Sequence, residues 1–278
     1  MTRAATPLAL RYKGAIASQP HVAALSTTPV KSLRIQRRER ILLDRDGARG
    51  DRAMFIVDDR RRMINAKRHP ALNQVIAELD DEGELALELP DGSRVAGEPR
   101  PGEELQVRFY SLIRPARAIE GPFSQALSDH AGAPLRLVAF EGGRSAVDRG
   151  AQGAASVLCR SSADALAAAA GRERIDTRRF RMTIELDGCE PFAEDGWIGR
   201  ELRVGGAGGA VIKPLGHVGR CTVTTLDPES GAVDLPTLDL LRELRGGAET
   251  TEPLAIGIHC AVIEPGAVAL GDAVEVEG

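Results

Sequence analysis

Residues 84–95, ELALELPDGSRV, read as a strand, a turn and the start of a second strand. Leu85, Leu87 and Leu89 alternate with Ala86 and Glu88, the period of two that presses one face of a strand into a core. Asp91-Gly92 then supplies the residue types a tight hairpin turn needs. The pattern recurs on both sides of this stretch. VAALSTTPV (22–30), RILLDRDG (40–47), AMFIVDD (53–59) and ELQVRFY (104–110) are short apolar runs, with turn signals at Asp46-Gly47 and Pro101-Gly102. HPALNQVIAEL (69–79) fits either a helical turn or one more strand. Many short strands with turn punctuation predict a barrel or sandwich rather than a parallel sheet wrapped in helices.

The second half adds helices to this pattern. FSQALSDHAG (123–132) reads as a helix and LRLVAF (135–140) as a strand, followed by a Gly/Arg/Asp loop. The clearest helix is SSADALAAAAG (161–171), with Ser161 as its cap, Asp164 three residues on and Gly171 at its end. Strands are expected at RMTIELDG (181–188), ELRVGG (201–206), AVIKPLG (210–216) and CTVTTLD (221–227), with Gly208-Gly209 as a hairpin turn. A further helix, LPTLDLLRELRGG (235–247), carries Pro236 in its first turn. Two closing strands flank Pro265-Gly266.

Composition excludes several classes of function. Aromatic residues make up only 3% of the chain, so Val, Leu, Ile and Ala must fill the core. The net charge of −4 opposes general nucleic-acid binding, which needs a basic field to displace counterions. Two basic clusters stand out, Arg60, Arg61, Arg62, Lys67 and Arg68, and then Arg178, Arg179 and Arg181; solvated surface is the plain reading of the first. No segment approaches the roughly 20 apolar residues of a membrane span, and the first residues lack a signal-peptide pattern. A cytoplasmic protein is expected. Cys159, Cys189, Cys221 and Cys260 show no C-x-x-C spacing, which argues against a zinc knuckle, an iron–sulfur cluster or a disulfide framework.

Cys159, Cys189 and Cys260 read as small buried hydrophobes. Cys221 differs. Arg220 precedes it, Lys213 and His217 lie upstream, and Gly216 and Gly219 loosen the backbone. Positive neighbours favour the thiolate, the form that binds a soft metal.

Six stretches together resemble one family. TTPVKSL (27–33), GDRAMFIVD (50–58) and NAKRHPAL (65–72) resemble the MOSC N-terminal β-barrel domain. RFRMTIELDGCEPFAEDGWIG (179–199), GRCTVTTLDPESGAVD (219–234) and GIHCAVIEPGAVALGDAVEV (257–276) resemble the MOSC domain, in the manner of the amidoxime-reducing components. The resemblance implies a mainly β fold with a few helices: a loosely ordered lead-in (1–20), a β-barrel domain with connector (21–140) and a β-barrel-like MOSC domain (141–278).

It also implies a molybdenum cofactor (molybdopterin) with Cys221 as the metal thiolate. Lys31, Arg52 and Arg181 would hold the anionic phosphate or pterin end, with Ser161, Ser162 and Thr183 as further contacts. A capped helix start would offer the phosphate free N–H groups. For Arg52 and Arg181, ion pairs with Asp51 and Glu185 are the plainer alternative. Asp195 is the candidate proton relay, with a turn-capping carboxylate as its alternative. The implied activity is reduction of N-hydroxylated or N-oxygenated small molecules, fed by an external ferredoxin- or flavin-type electron donor. No pyridoxal-phosphate domain and no iron–sulfur motif, such as those fused to some relatives, are expected in this sequence. A cofactor carrier and a persulfide sulfur carrier acting through Cys221 are the alternatives. Two positions depart from the family pattern: Met182 stands for its Pro and Thr183 for its Asn.

Overall fold

The alternating runs become strands because each has an apolar face to bury, and four apolar clusters among the described residues receive them and the helices. The computed structural model describes residues 19–141 and 150–277. Residues 1–18 of the expected lead-in, and the loop at 142–149, lie outside the described residues. The first half contains β1 (His21–Thr27), β2 (Gln36–Arg38), β3 (Arg40–Asp44), β4 (Gly47–Ala48), β5 (Met54–Asp58), β6 (Ile76–Leu79), β7 (Leu85–Glu88), β8 (Arg94–Gly97), β9 (Arg100–Phe109), β10 (Leu112–Glu120), α1 (Phe123–Ala131) and β11 (Leu135–Ala139). The second half contains β12 (Ala155–Cys159), α2 (Arg160–Ala169), β13 (Ile184–Asp187), β14 (Glu201–Val204), β15 (Ala210–Gly219), α3 (Thr237–Arg245), β16 (Ala255–Glu264), β17 (Gly266–Ala269) and β18 (Val274–Glu277). No helix among the described residues is long and apolar enough to cross a membrane.

An eight-stranded sheet in the order β18-β14-β15-β16-β12-β13-β1-β2 dominates, antiparallel except at β12–β13. Its core gathers Leu25, Leu43, Val157, Ile184, Leu202, Ile212 and Ile258, the aliphatic filling that scarce aromatics demand. A four-stranded sheet, β5-β11-β10-β9, and a three-stranded one, β6-β7-β8, make the other body. There Leu85 and Leu87 are fully buried, as their alternation predicts. Phe55, Phe109 and Phe140 cluster within about 5 Å of one another.

The chain does not finish one body before starting the next. β1 pairs with β13 and β3 with β17, so the earliest strands belong to the sheets of the second half. Between β1 and β2, at residues 28–35, the chain dips into the core of the other body, where Val30 and Leu33 are buried. This crossing carries Lys31 to the junction.

Two local expectations are corrected, at 221–227 and at Ser161, and the open choice at 69–79 resolves into both of its alternatives. CTVTTLD forms a short helical turn, Thr222–Thr225, because the N–H of Thr224 bonds the carbonyl of Cys221. HPALNQVIAEL supplies a turn and a strand, Pro70–Gln74 and then β6. Ser161 does not cap α2. That helix begins at Arg160 straight out of β12, and no side chain caps it. Ser162 turns inward instead, donating to both oxygens of Glu194 (2.9 and 3.0 Å) and accepting the N–H of Phe192 (2.8 Å).

Two predictions follow from this packing. The turn 227–231 seats on the other body, with Arg34 and Gln74 donating to the carbonyls of Glu229 and Ser230 at 3.0 Å. Gly231 has φ +73°, and a Cβ there would lie 2.3 Å from the Pro70 carbonyl oxygen. Gly231→Ala is expected to cost about 2 kcal/mol or more in urea unfolding, and parental stability would show that the seat is loose. Glu194 is fully buried, and desolvation raises its pKa from 4.5 to about 7. The native state then keeps a proton that the unfolded chain releases, so stability falls as pH rises from about 4.5 through about 7. A shift of this size corresponds to about 3 kcal/mol. Glu194→Gln should remove that slope in melts between pH 5 and 8; an unchanged slope would assign it to another group.

Candidate functional site

Two loops of the first half lock together at the crossing. Lys31 N–H bonds the Met54 carbonyl (2.8 Å), and Met54 N–H bonds that of Pro29 (3.0 Å). Asp51, 2% exposed, accepts the Thr28 N–H at 2.8 Å, while Arg52 N–H returns to the Thr28 carbonyl at 2.6 Å. The Arg52 guanidinium pairs with Asp51 (2.9 Å) and donates to the carbonyl of Arg181 in the other body (2.6 Å).

The second half meets this lock with its own arginines. Arg179 is buried, pairs with Asp234 (2.9 Å) and donates to the Thr224 carbonyl (3.1 Å), fixing the turn that follows Cys221. Arg220 donates to the carbonyls of Phe180 (2.9 Å) and Ile256 (3.0 Å) and lies over the Phe180 ring at 5.4 Å. Cys221 follows directly, exposed, with extended backbone.

Between these parts lies a cavity of about 200 Å³ lined by Lys31, Arg52, Arg181, Ser156, His259 and Cys221, among others. Ser32 (φ 81°), Arg52 (φ 49°) and Arg181 (φ 55°) all line it with left-handed backbone. Such conformations cost roughly 1–3 kcal/mol each in a non-glycine residue and concentrate where surrounding structure fixes a binding surface.

The sequence-derived set therefore divides. Lys31, Arg52, Arg181 and Cys221 converge on one cavity. Arg52 also makes the pair with Asp51 that was its plainer alternative. Glu185, the alternative partner of Arg181, is taken by Arg37 at 2.7 Å and Arg160 at 3.7 Å. Thr183 is buried behind the cavity wall: its N–H donates to Ser156 Oγ (3.0 Å), and the two hydroxyls lie 3.2 Å apart.

Ser161 and Ser162 are corrected, because α2 turns its hydroxyls into protein and neither lines the cavity. Asp195 is corrected too. Its carboxylate pairs with Arg245 (2.6 Å) and stands 3.3 Å from His217 Nε2, a cluster behind the site. Burial, partly offset by Asp195, lowers the His217 pKa, so His217 contributes no standing charge beside Cys221.

The remaining thiols are less exposed than Cys221. Cys159 and Cys260 are buried, with pKa values pushed up by contact with Cys189 and burial in the first case and by burial in the second. Cys189, expected buried, is only partly so. His259 and Ser156 were missed, although the strand period holds the clue for His259. Cys260 points into the core, so its neighbour on β16 faces the other way.

The MOSC domain family matches residues 140–275, and the MOSC N-terminal beta barrel domain family matches residues 19–120. The chain is 31% identical to mitochondrial amidoxime-reducing component 1 of Xenopus laevis over 106 residues, 36% of this chain and 29% of that protein. To mitochondrial amidoxime reducing component 2 of Homo sapiens it is 31% identical over 108 residues, 37% of this chain and 31% of that protein. These matches span about a third of the relatives' length. Among solved structures, the YUAD protein from Bacillus subtilis aligns with a TM-score of 0.43 and 14% identity, over 93% of this chain and 96% of that one. The chain belongs to the molybdenum cofactor-associated family in which a MOSC N-terminal β-barrel domain precedes a MOSC domain.

Proposed function

We propose that the cavity binds a molybdenum cofactor and that the protein reduces N-hydroxylated or N-oxygenated small molecules there. The observation that carries this reading is the meeting of Lys31, Arg52, Arg181 and Cys221, from four separate segments, around one cavity. The donor set fits the group. Cations suit its phosphate end, and an exposed thiol suits a soft metal. When bound, the cofactor would supply a redox centre able to take oxygen from an N–O bond, given an open metal position.

The protein's share of the work is holding and protonating. Lys31 and the two arginines bind the anionic end. Arg179 and Arg220, which also line the cavity, hold the loop that presents Cys221 through bonds to backbone carbonyls. Cleaving N–OH to N–H and water consumes two electrons and two protons. The proton role expected of Asp195 passes to His259, whose Nδ1 is held 2.9 Å from the Gln152 carbonyl oxygen while the ring lines the cavity.

Metal and pterin analysis of the purified protein, with a dithionite-driven N-reduction assay, tests the reading. Bound cofactor and turnover are expected. Cofactor without turnover would favour a carrier, and sulfane sulfur on Cys221 without metal would favour a sulfur carrier.

Two substitutions sharpen this. Cys221→Ser should lower the N-reduction rate by roughly a hundredfold or more, because an alcohol oxygen replaces a soft thiolate, with the thermal midpoint unchanged since the side chain is exposed. Full activity would remove the metal-thiolate role. Lys31→Ala should lower pterin content, since one charge-assisted bond is worth about 1.5–3 kcal/mol, roughly ten- to a hundredfold in affinity. Unchanged pterin content would take Lys31 out of the anion site.

A further inference from the structure

The cavity opens beside a surface that meets it at Tyr110 and residues 65–66. β9 and β10 form a long hairpin whose turn is Tyr110-Ser111, with Phe109 opposite Leu112 and Arg108 opposite Ile113. Phe109 is buried against the Phe55 and Phe140 rings, yet the tip beyond it is apolar and exposed: Tyr110 57%, Leu112 63% and Ile113 66%. Isolated exposed apolar residues need no explanation; three together at one projecting tip mark a contact surface.

Charge surrounds this tip. Arg108 N–H bonds the Arg61 carbonyl and Met63 N–H bonds the Arg108 carbonyl, both at 2.8 Å, so residues 61–63 run beside the hairpin. Residues 60–68 and 108–114 contain seven Lys or Arg and no Asp or Glu, in a chain of net charge −4. Asp58 takes up Arg62 (2.8 Å) and Arg68 (3.3 Å), and Asp59 borders the patch. Arg60, Arg61, Lys67, Arg108 and Arg114 remain exposed. The patch is continuous with the cavity mouth, because Tyr110 lines the cavity and carries Lys31 Nζ 5.7 Å from its ring centre.

We infer that the β9–β10 tip and its arginines dock a small acidic protein electron carrier beside the cavity. The inference rests on the reductase reading above. Its occupant follows from chemistry: N–OH reduction needs two electrons, which two reduced one-electron carriers deliver in turn, each being oxidised, and the two protons come from solvent by way of His259. An acidic surface matches the arginines, and an apolar edge matches Leu112 and Ile113. Such steering raises the rate of encounter and weakens with salt.

The test uses the full chain with cofactor, an acidic plant-type ferredoxin and a flavodoxin as carriers, and dithionite as the small donor. Two variants are compared, R61E/R108E and L112S/I113S; none of the four residues lines the cavity. With one of the carriers as donor, KM for the carrier should rise at least tenfold in both variants, and the parent's KM should rise with salt. Dithionite-driven turnover should stay at the parent level. KM unchanged within twofold for both carriers would overturn the inference. So would patch-dependent binding to phosphatidylserine vesicles when neither carrier binds. If dithionite drives no turnover in the parent, the reductase reading itself fails. Binding of the oxidised carriers, measured by biolayer interferometry, then decides the docking surface alone: salt-sensitive binding lost in the variants supports it, and no binding overturns it.

Discussion

At the wall of the cavity the two bodies are joined by the Arg52 guanidinium on the carbonyl of Arg181, at 2.6 Å. A carbonyl accepts such a bond only if its peptide is turned toward the donor, and the left-handed backbone of Arg181 gives it that turn. Arg52 is itself held in a left-handed conformation by its N–H bond to Thr28 and by the buried carboxylate of Asp51. Strain on one side of the junction thus meets strain on the other. The cost of two such residues, roughly 1–3 kcal/mol each, is offset by charge-assisted bonds of similar size. The cavity shape therefore exists before any ligand arrives, which lowers the cost of binding.

The same bond explains why segments distant in sequence form one motif. GDR supplies the donor and its carboxylate clamp, TTPVKSL supplies the carbonyls that orient it, and RFR supplies the acceptor. None of these roles belongs to a side chain alone. Reading residue types one at a time leaves Arg52 and Arg181 as surface ion pairs. Only their joint occurrence in the matched order points to a junction.

What was legible in the sequence was the part governed by local rules. Period-two runs such as 84–95 do become strands, because a half-buried strand has no other way to sort its residues. The helix at 161–171 was also legible, but its cap was not. Ser161 and Ser162 have the chemistry of caps, yet β12 feeds α2 directly, and a buried Glu194 thirty-odd residues away claims Ser162. Asp195 misled for the same reason. Its partners Arg245 and His217 come from α3 and β15, and no spacing in the sequence announces that pairing. Long-range polar partners are chosen by the fold, so a titratable residue inside a matched motif is as often its scaffold as its chemistry.

The two departures from the family pattern show how a scaffold absorbs change. Met182 is 2% exposed, and its sulfur lies 3.0 Å from the Arg220 guanidinium that sets the position of Cys221. A flexible thioether can fill the space beside that arginine without displacing it. The fit requires room from β16. A Cβ at residue 257 would stand 2.6 Å from the Met182 methyl and 2.8 Å from the Val157 carbonyl oxygen, so that position is Gly257, with φ +76°. Thr183 in turn has one hydroxyl where an amide would offer two polar ends. Ser156 makes up the difference, accepting the Thr183 N–H while its own hydroxyl stands against the cavity. The polar surface at this point is carried by Ser156 of β12, with buried Thr183, just before β13, bonded to it from behind. Its position is then set by strand register rather than by one rotamer, and the register is fixed by the pairing of Val157 with Ile184.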